Sequence, residues 1–467
     1  MRAHPMSSPL EHRRSVPTWY LKRRPHYWPD NEARLLICGA EFFPALLDAI
    51  SQARHEIWLT TYIFYQDESA QTIAQALVRA ARRGVRVRVV VDGFGSMESL
   101  ATLRRWWADE PVALTVFRPL ERWWSWLQPQ QLRRMHQKLC AIDGEVGFVG
   151  GINVLDDRLD IHHGALEAPR LDYAVELRGP VVEAIAQSAR AMWTRAAFGA
   201  DWRDELPQLL KGRAGLERAR RLLSDMRISR HHGSSGADSL ESAHRLQARV
   251  DEDSQEADGH RSAVSSEADR HLPLSRREKA DVAFVWRDNV RHRRSIEGLL
   301  LSACGQARER IDIVCPYFYP GLALRRALRQ AAQRGVRVRL LLQGRLDLRI
   351  AGMAAAVLYR ELLNSGVRIF EYTPAFLHAK AVRVDGDWAT LGSSNLDPLS
   401  LLVNLEANVA IRDPAFATAL GDSMESAFTA SREITAPPSL TVWGAWVRRY
   451  ALSALARLYL RAADWGG

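Results

Sequence analysis

Lysine is scarce in this chain. Among 467 residues with 64 basic side chains, it occurs only at positions 22, 138, 211, 279 and 380. Where positive charge alone is wanted arginine is used, so a lysine marks a need for a compact point charge. Cysteine is scarce too, with four residues (38, 140, 304 and 315) that lack the paired spacing of a zinc site or a disulfide framework. Several lie in apolar strand-like runs and read as buried thiols of a reducing compartment. No stretch approaches the ~18 uninterrupted apolar residues of a membrane span, and the opening MRAHPMSSPLEHRRSVP has no apolar signal core. A carboxylate cluster able to cage a hard divalent cation is also missing. The expectation is a protein without metal or cofactor, cytosolic or resting on a membrane without crossing it.

What is abundant is positive charge. The net charge is +10 and the pI near 9.7, which favours anionic partners such as nucleic acid or an anionic membrane surface. Two of the five lysines fall in a segment that the chain writes twice, MHQKLCAIDGEVGFVGGIN from Met135 and LHAKAVRVDGDWATLGSSN from Leu377. The copies share His136, Lys138, Asp143, Gly150, Gly151 and Asn153 with His378, Lys380, Asp385, Gly392, Ser393 and Asn395 at identical intervals. One HxK would be a chance pair on a basic strand; two matching copies are not.

Val, Ile and Leu on both sides of Asp-Gly indicate a hairpin. With Gly144-Glu145 and Gly386-Asp387 as two-residue loops, His136 falls opposite Asn153, Lys138 opposite Gly151 and His378 opposite Asn395. Residues two apart on a strand share a face, so imidazole, ammonium and amide converge on one spot beside a residue without bulk. Two such trios about one axis suit a substrate with one central negative charge and a breakable bond on either side, which describes a phosphodiester. Lys138, Lys380, Asn153 and Asn395 would hold the non-bridging oxygens. One His would attack phosphorus and the other would serve as acid and base. A nucleophilic imidazole needs its far nitrogen fixed. Asp172, 36 residues after His136, and Glu406, 28 after His378, are the candidates, each read as serving its own copy. Asp143 and Asp385 sit at the turns, where securing backbone is the simpler role.

The rest of the chain is a duplication. Strands at Arg34–Cys38, Glu56–Tyr62 and Val85–Val91 alternate with helices at Phe42–Ala53 and Gln71–Arg83. Strands at Arg310–Cys315 and Val336–Leu342 with a helix at Ala323–Arg334 repeat that order, and RGVRVRV in the first half is matched by RGVRVRL in the second. The expected α/β fold is two tandem lobes, each a mixed sheet flanked by helices, related by a pseudo-twofold axis with the site between them. The expected organisation is a basic tail (1–30), a first lobe (31–203), a polar, largely disordered linker (204–280), a second lobe (281–435) and an amphipathic membrane-surface helix (436–467). His231 and His232 in the linker read as solvated. Trp123, Trp124 and Trp126 read as a loop dipping into a lipid interface.

The motif pair resembles the signature of the phospholipase D superfamily, HxK(x)4D(x)6G[GS]xN. Together with LDYAVELRGPVVEAI, VDGFGS, WRDNVRHRRSIE and DWATLGSSNLDPLSLLVNLEANVAI, it is similar to bacterial cardiolipin synthases, nearest the B group without transmembrane helices, over about 31–203 and 281–435. The resemblance implies two phospholipase D-type lobes and a catalytic set of His136, Lys138, Asp143, His378, Lys380 and Asp385, with His136 as nucleophile. It also implies a phosphatidyltransferase that joins two phosphatidylglycerol molecules into cardiolipin and glycerol through a phosphohistidine. Such an enzyme would be peripheral on the cytoplasmic side of the bacterial cell membrane, with no nucleic acid partner expected. The alternatives are a phospholipase D-type phosphodiesterase, either lipid hydrolase or nuclease, and a non-catalytic membrane-binding descendant, which should carry a broken motif.

Overall fold

In the computed structural model the described residues are 24–119, 133–161, 163–198, 279–288, 292–344 and 358–436. The first lobe runs β1 (Tyr27–Ile37), α1 (Cys38–Gln52), β2 (Glu56–Thr61), α2 (Glu68–Arg82), β3 (Arg86–Asp92), α3 (Leu100–Trp106) and β4 (Val112–Phe117). It continues with the motif hairpin β5 (Lys138–Ile142) and β6 (Val146–Gly150), a small hairpin of β7 (Leu159–Asp160) and β8 (Gly164–Ala165), then β9 (Tyr173–Arg178) and α4 (Val181–Phe198). The second lobe follows the same plan: β10 (Ala280–Arg287), α5 (Ser295–Gln306), β11 (Arg310–Val314), α6 (Leu322–Gln333), β12 (Arg337–Gln343) and β13 (Arg368–Tyr372). Its motif hairpin is β14 (Ala381–Val384) and β15 (Trp388–Gly392), followed by α7 (Pro398–Leu402), β16 (Glu406–Arg412), α8 (Pro414–Thr429) and β17 (Arg432–Ile434).

Local chemistry explains these boundaries. Asp67 caps α2 by accepting the Ala70 N–H at 2.8 Å, and Asp413 caps α8 by accepting that of Ala415 at 2.9 Å, with Pro414 at the first helical position. The repeated Gly of RGVRVR stops α2 and α6: Gly84 and Gly335 have φ of 93° and 91°, a left-handed conformation that glycine adopts without penalty.

The strand order is β17-β13-β12-β11-β14-β15-β16-β10-β1-β9-β6-β5-β2-β3-β4. Outward from the antiparallel β1–β10 seam the two halves read alike, β17 being an addition at one edge. Parallel pairs (β2–β3–β4 and β11–β12–β13) lie toward the edges and antiparallel pairs around the motifs, which makes each half a mixed sheet. One face of each sheet packs on outer helices: Leu46, Ile73 and Leu77 in the first lobe, Leu300, Leu324 and Leu328 in the second. The opposite faces share one core with α4 and α8, in which Leu139, Val149, Val175 and Ile185 join Val314, Leu391, Val409 and Leu420. The lobes are therefore halves of one compact unit, 1–197 with 277–467.

β1 begins at Tyr27, inside the expected tail, and Tyr27 accepts the Trp388 indole N–H at 3.0 Å. Residues 199–278, which hold all but the end of the expected linker, lie outside the described residues. So do residues 1–23, Trp123–Trp126, His231, His232 and the C-terminal segment from 437. Among the described residues, no helix is long and apolar enough to cross a membrane.

Candidate active site

Both motifs stand at the ends of strands where the lobes meet, and each motif histidine is held by the opposite lobe. Leu405, next to Glu406, accepts the N–H groups of His136 and Gln137 at 3.0 Å each. Leu171, next to Asp172, accepts those of His378 and Ala379 at 2.8 and 3.0 Å. These short parallel bridges carry the carboxylates across. His136 Nδ1 lies 3.0 Å from Glu406 and His378 Nδ1 lies 2.6 Å from Asp172. Asp172 and Glu406 thus orient imidazoles, but the pairing is crossed: the expectation that each serves its own copy is corrected. Sequence distance could not show this, because the pairing is made by the lobe interface.

The hairpin register also differs by one residue from the sequence reading. Lys138 pairs with Gly150 and Ala381 with Leu391, so the loops are three residues long, Asp143–Glu145 and Asp385–Asp387. Asp143 and Asp385 take left-handed φ of 55° and 53° because their carboxylates are engaged elsewhere. Asp143 accepts the N–H groups of Arg54, His55 and Glu56 at 2.7 to 2.8 Å, and Asp385 those of Arg308, Glu309 and Arg310 at 2.8 to 3.1 Å. Both fasten the start of the neighbouring strand, the backbone-securing role that their place at the turns suggests.

The small residues have a different purpose from the one expected. A Cβ on Gly151 would overlap the Asp172 carboxylate, and one on Gly150 would meet Ala174 at 2.6 Å. Gly151 therefore leaves room for the orienting carboxylate rather than for substrate. In the second copy Ser393 occupies that place and donates its hydroxyl to Glu406 at 2.5 Å, while its carbonyl lies 3.1 Å from His136 Nδ1.

Lys138 and Lys380 are almost fully buried, and each donates to the carbonyl of its own motif histidine. Burial and the second ammonium push Lys138 down to about 7; burial also lowers Lys380. Burial lowers His136 and takes His378 down to about 3, so both imidazoles are neutral at pH 7. Burial pushes Asp172 and Glu406 up, but the facing histidines, the lysines and hydrogen bonds outweigh it and hold both below the ordinary carboxylate range. A neutral imidazole with Nδ1–H on a carboxylate leaves Nε2 with a free lone pair. Asn153 and Asn395 are each 7% exposed; Asn153 accepts the Ile63 N–H at 3.1 Å, and Asn395 Oδ1 has no partner among the described residues. Among the described residues, no group of His, Cys, Asp and Glu could hold a metal ion.

Tyr62 was not foreseen. Its ring meets His136 edge-on at 5.0 Å, and the Lys138 ammonium lies 5.3 Å from the ring centre. It follows β2 directly, yet nothing in its own letters distinguishes it from the other aromatics.

Two buried like charges without an anion between them are costly. Lys138→Met is therefore expected to abolish turnover while raising stability by about 1–4 kcal/mol, read as activity and thermal midpoint of the same preparation. The wild-type midpoint should rise from pH 7 towards 10, because there the unfolded chain keeps the Lys138 proton that the folded site has released.

Comparison with known proteins agrees with this geometry. The family described as cardiolipin synthase, PLD-like domain, matches residues 46–166 and 300–428. Cardiolipin synthase B of Salmonella typhi is 34% identical over 395 residues, covering 85% of this chain and 80% of that protein. Cardiolipin synthase B of Escherichia coli K12 is 34% identical over 400 residues, covering 86% and 81%. Cardiolipin synthase A of Pseudomonas putida GB-1 is 30% identical over 410 residues, covering 88% of this chain and 71% of that protein. Among solved structures, phosphatidylserine synthase of Haemophilus influenzae superposes with a TM-score of 0.56 at 15% identity, covering 95% and 96% of the two chains, which speaks for the fold. With two intact motifs and relatives of this extent, the chain belongs to the cardiolipin synthase family of phospholipase D-like enzymes.

Proposed function

We propose that the enzyme transfers a phosphatidyl group from one phosphatidylglycerol to the glycerol hydroxyl of another, releasing glycerol and forming cardiolipin. The observation that carries this reading is the pair of imidazoles, each with Nδ1 on a carboxylate from across the interface, beside two buried ammonium groups. Lys138 and Lys380, with Asn153 and Asn395, bind the non-bridging oxygens and stabilise charge gathering on phosphorus. His136 Nε2 attacks phosphorus; the P–O bond to the glycerol headgroup breaks, and His378 gives that oxygen its proton. The second glycerol hydroxyl then returns a proton to His378 as it attacks, and the P–N bond to His136 breaks. The His136 side chain is 12% exposed and that of His378 25%. This difference supports the deeper ring as nucleophile and the more open one as the group that meets leaving and entering alcohols.

His378 is held neutral, because burial and Lys380 disfavour its charge. A bound phosphodiester anion offsets the lysines and raises the proton affinity of His378, so the acid is armed by substrate. The acceptor alcohol must outcompete water, which buried walls favour.

A membrane surface as partner is supported by where apolar side chains remain exposed. Among the described residues the large ones are Phe94, Met97, Tyr317, Tyr319, Leu322 and Leu402, from 43% to 68% exposed. Phe94 and Met97 follow β3, Tyr317 to Leu322 follow β11, and Leu402 ends α7 after Asn395. All lie beyond the ends of strands on the side of the motif histidines, in connections or at helix ends, so they would meet acyl chains. Phe94→Ser with Met97→Ser should weaken sedimentation with phosphatidylglycerol vesicles about tenfold, while turnover of a short-chain soluble phosphatidylglycerol stays within about twofold.

The decisive assay is purified enzyme with labelled phosphatidylglycerol vesicles in EDTA, with products separated by chromatography. Cardiolipin with equimolar glycerol supports the reading. Phosphatidic acid alone would make the enzyme a hydrolase, and loss of turnover on chelation would contradict the residue-only scheme.

A further inference from the structure

Each motif histidine follows a buried residue whose N–H is captured by a side chain at the end of a central strand. Met135 donates to Asp92 Oδ2 at 2.9 Å, and Leu377 donates to Gln343 Oε1 at 2.8 Å. Asp92 closes β3 and Gln343 closes β12, the strands RVRVVVD and RVRLLLQ, so one place in the fold is filled twice with different chemistry. Both side chains are buried. The other backbone groups here are held by the opposite lobe: the Arg134 and Phe376 carbonyls accept the N–H groups of Leu405 and Leu171, and those residues in turn accept from His136, Gln137, His378 and Ala379. The N–H just before each histidine is the one fixed from within its own lobe.

The two clamps differ in what else they hold. Asp92 Oδ1 accepts the N–H groups of Phe94 and Gly95 at 2.9 and 3.2 Å and lies 3.7 Å from the Arg134 guanidinium. That guanidinium is 5.5 Å from the Phe94 ring. The exposed Phe94–Met97 connection and the backbone entering His136 thus share one carboxylate.

We propose that Asp92 and Gln343 are positioning residues that set the two histidines relative to phosphorus, and that Asp92 also ties the exposed Phe94 connection to His136. The clamp acts through the backbone and touches no substrate. Its role rests on the proposed phosphoryl chemistry, so the test separates the two. Wild type, Asp92→Leu, Gln343→Leu and Gln343→Glu are compared as full-length enzymes on phosphatidylglycerol vesicles and on a chromogenic aryl phosphodiester, with inorganic phosphate as competing anion. A displacement of about 1 Å costs roughly 10²-fold. The Leu variants should therefore lose about 10- to 100-fold in kcat on both substrates, with KM and phosphate inhibition within about twofold. Gln343→Glu keeps an acceptor for Leu377 and should recover most of the loss. Should Gln343→Leu not fold, Gln343→Asn, polar but one methylene too short, replaces it. Unchanged kcat in the Leu variants, or parallel loss of kcat, phosphate inhibition and thermal midpoint, would overturn the clamp. Wild type that cleaves the chromogenic ester without making cardiolipin would sink only the lipid reading.

Discussion

Glu406→Gln should lower kcat by about 10²–10⁴-fold while the fold persists, although the substitution is nearly isosteric and lies in the lobe opposite the histidine it serves. A carboxylate on Nδ1 fixes the tautomer with Nε2 free and stabilises the imidazole when charge builds on it; an amide does neither reliably. Glu406 is fully buried and ionised, so no protonation of its own compensates for the change. Asp172→Asn should act on His378 in the same way, through the 2.6 Å contact. Initial rates of cardiolipin formation, with thermal midpoints of the same preparations, check both. The crossing makes a sharper statement than the loss alone. Asp172→Asn combined with His378→Ala should be no worse than His378→Ala, whereas Asp172→Asn combined with His136→Ala removes two separate functions.

The second large effect concerns the number of sites. Two motifs in one chain could have meant two independent centres, and then His136→Ala or His378→Ala would each leave about half the activity. The bridges from Leu405 and Leu171, the crossed carboxylates and the effect of the Lys380 ammonium on Lys138 join the motifs into one site. Each single substitution should therefore reduce cardiolipin formation by at least about 10³-fold, since it removes either the nucleophile or the general acid and base. Mixing the two variants should not restore activity if each chain holds its own complete site. Measured recovery on mixing would mean that copies exchange lobes.

The duplication was legible because it leaves two kinds of trace in the letters: alternating strand and helix patterns in the same order, and two repeated segments, RGVRVR and the HxK motif with its fixed internal intervals. His136, Lys138, His378 and Lys380 could be named because reactive side chains at repeated spacing leave few structural explanations. The partnerships were not legible. Asp172 and Glu406 were recognisable as carboxylates after each motif, but strands from opposite lobes decide which imidazole each meets. The register slipped by one because Asp143 and Asp385 look like ordinary turn residues until the backbone groups of 54–56 and 308–310 are seen to bind them. Gly151 read as space for a ligand, whereas the structure fills that space with Asp172. Tyr62, Asp92 and Gln343 close strands in the same way that many residues do, and only their neighbours give them meaning.

The central claim is that two lobes build one phosphoryl-transfer site in which His136 carries the lipid and His378 moves the proton. It is tested most directly by mapping the covalent adduct on His378→Ala enzyme quenched after mixing with an aryl ester of phosphatidic acid, whose leaving group departs without the proton that His378 would give. Mass spectrometry should find one phosphatidyl group per chain on the peptide holding His136. No adduct on any histidine, or the same adduct in His136→Ala carried by His378, would contradict that assignment.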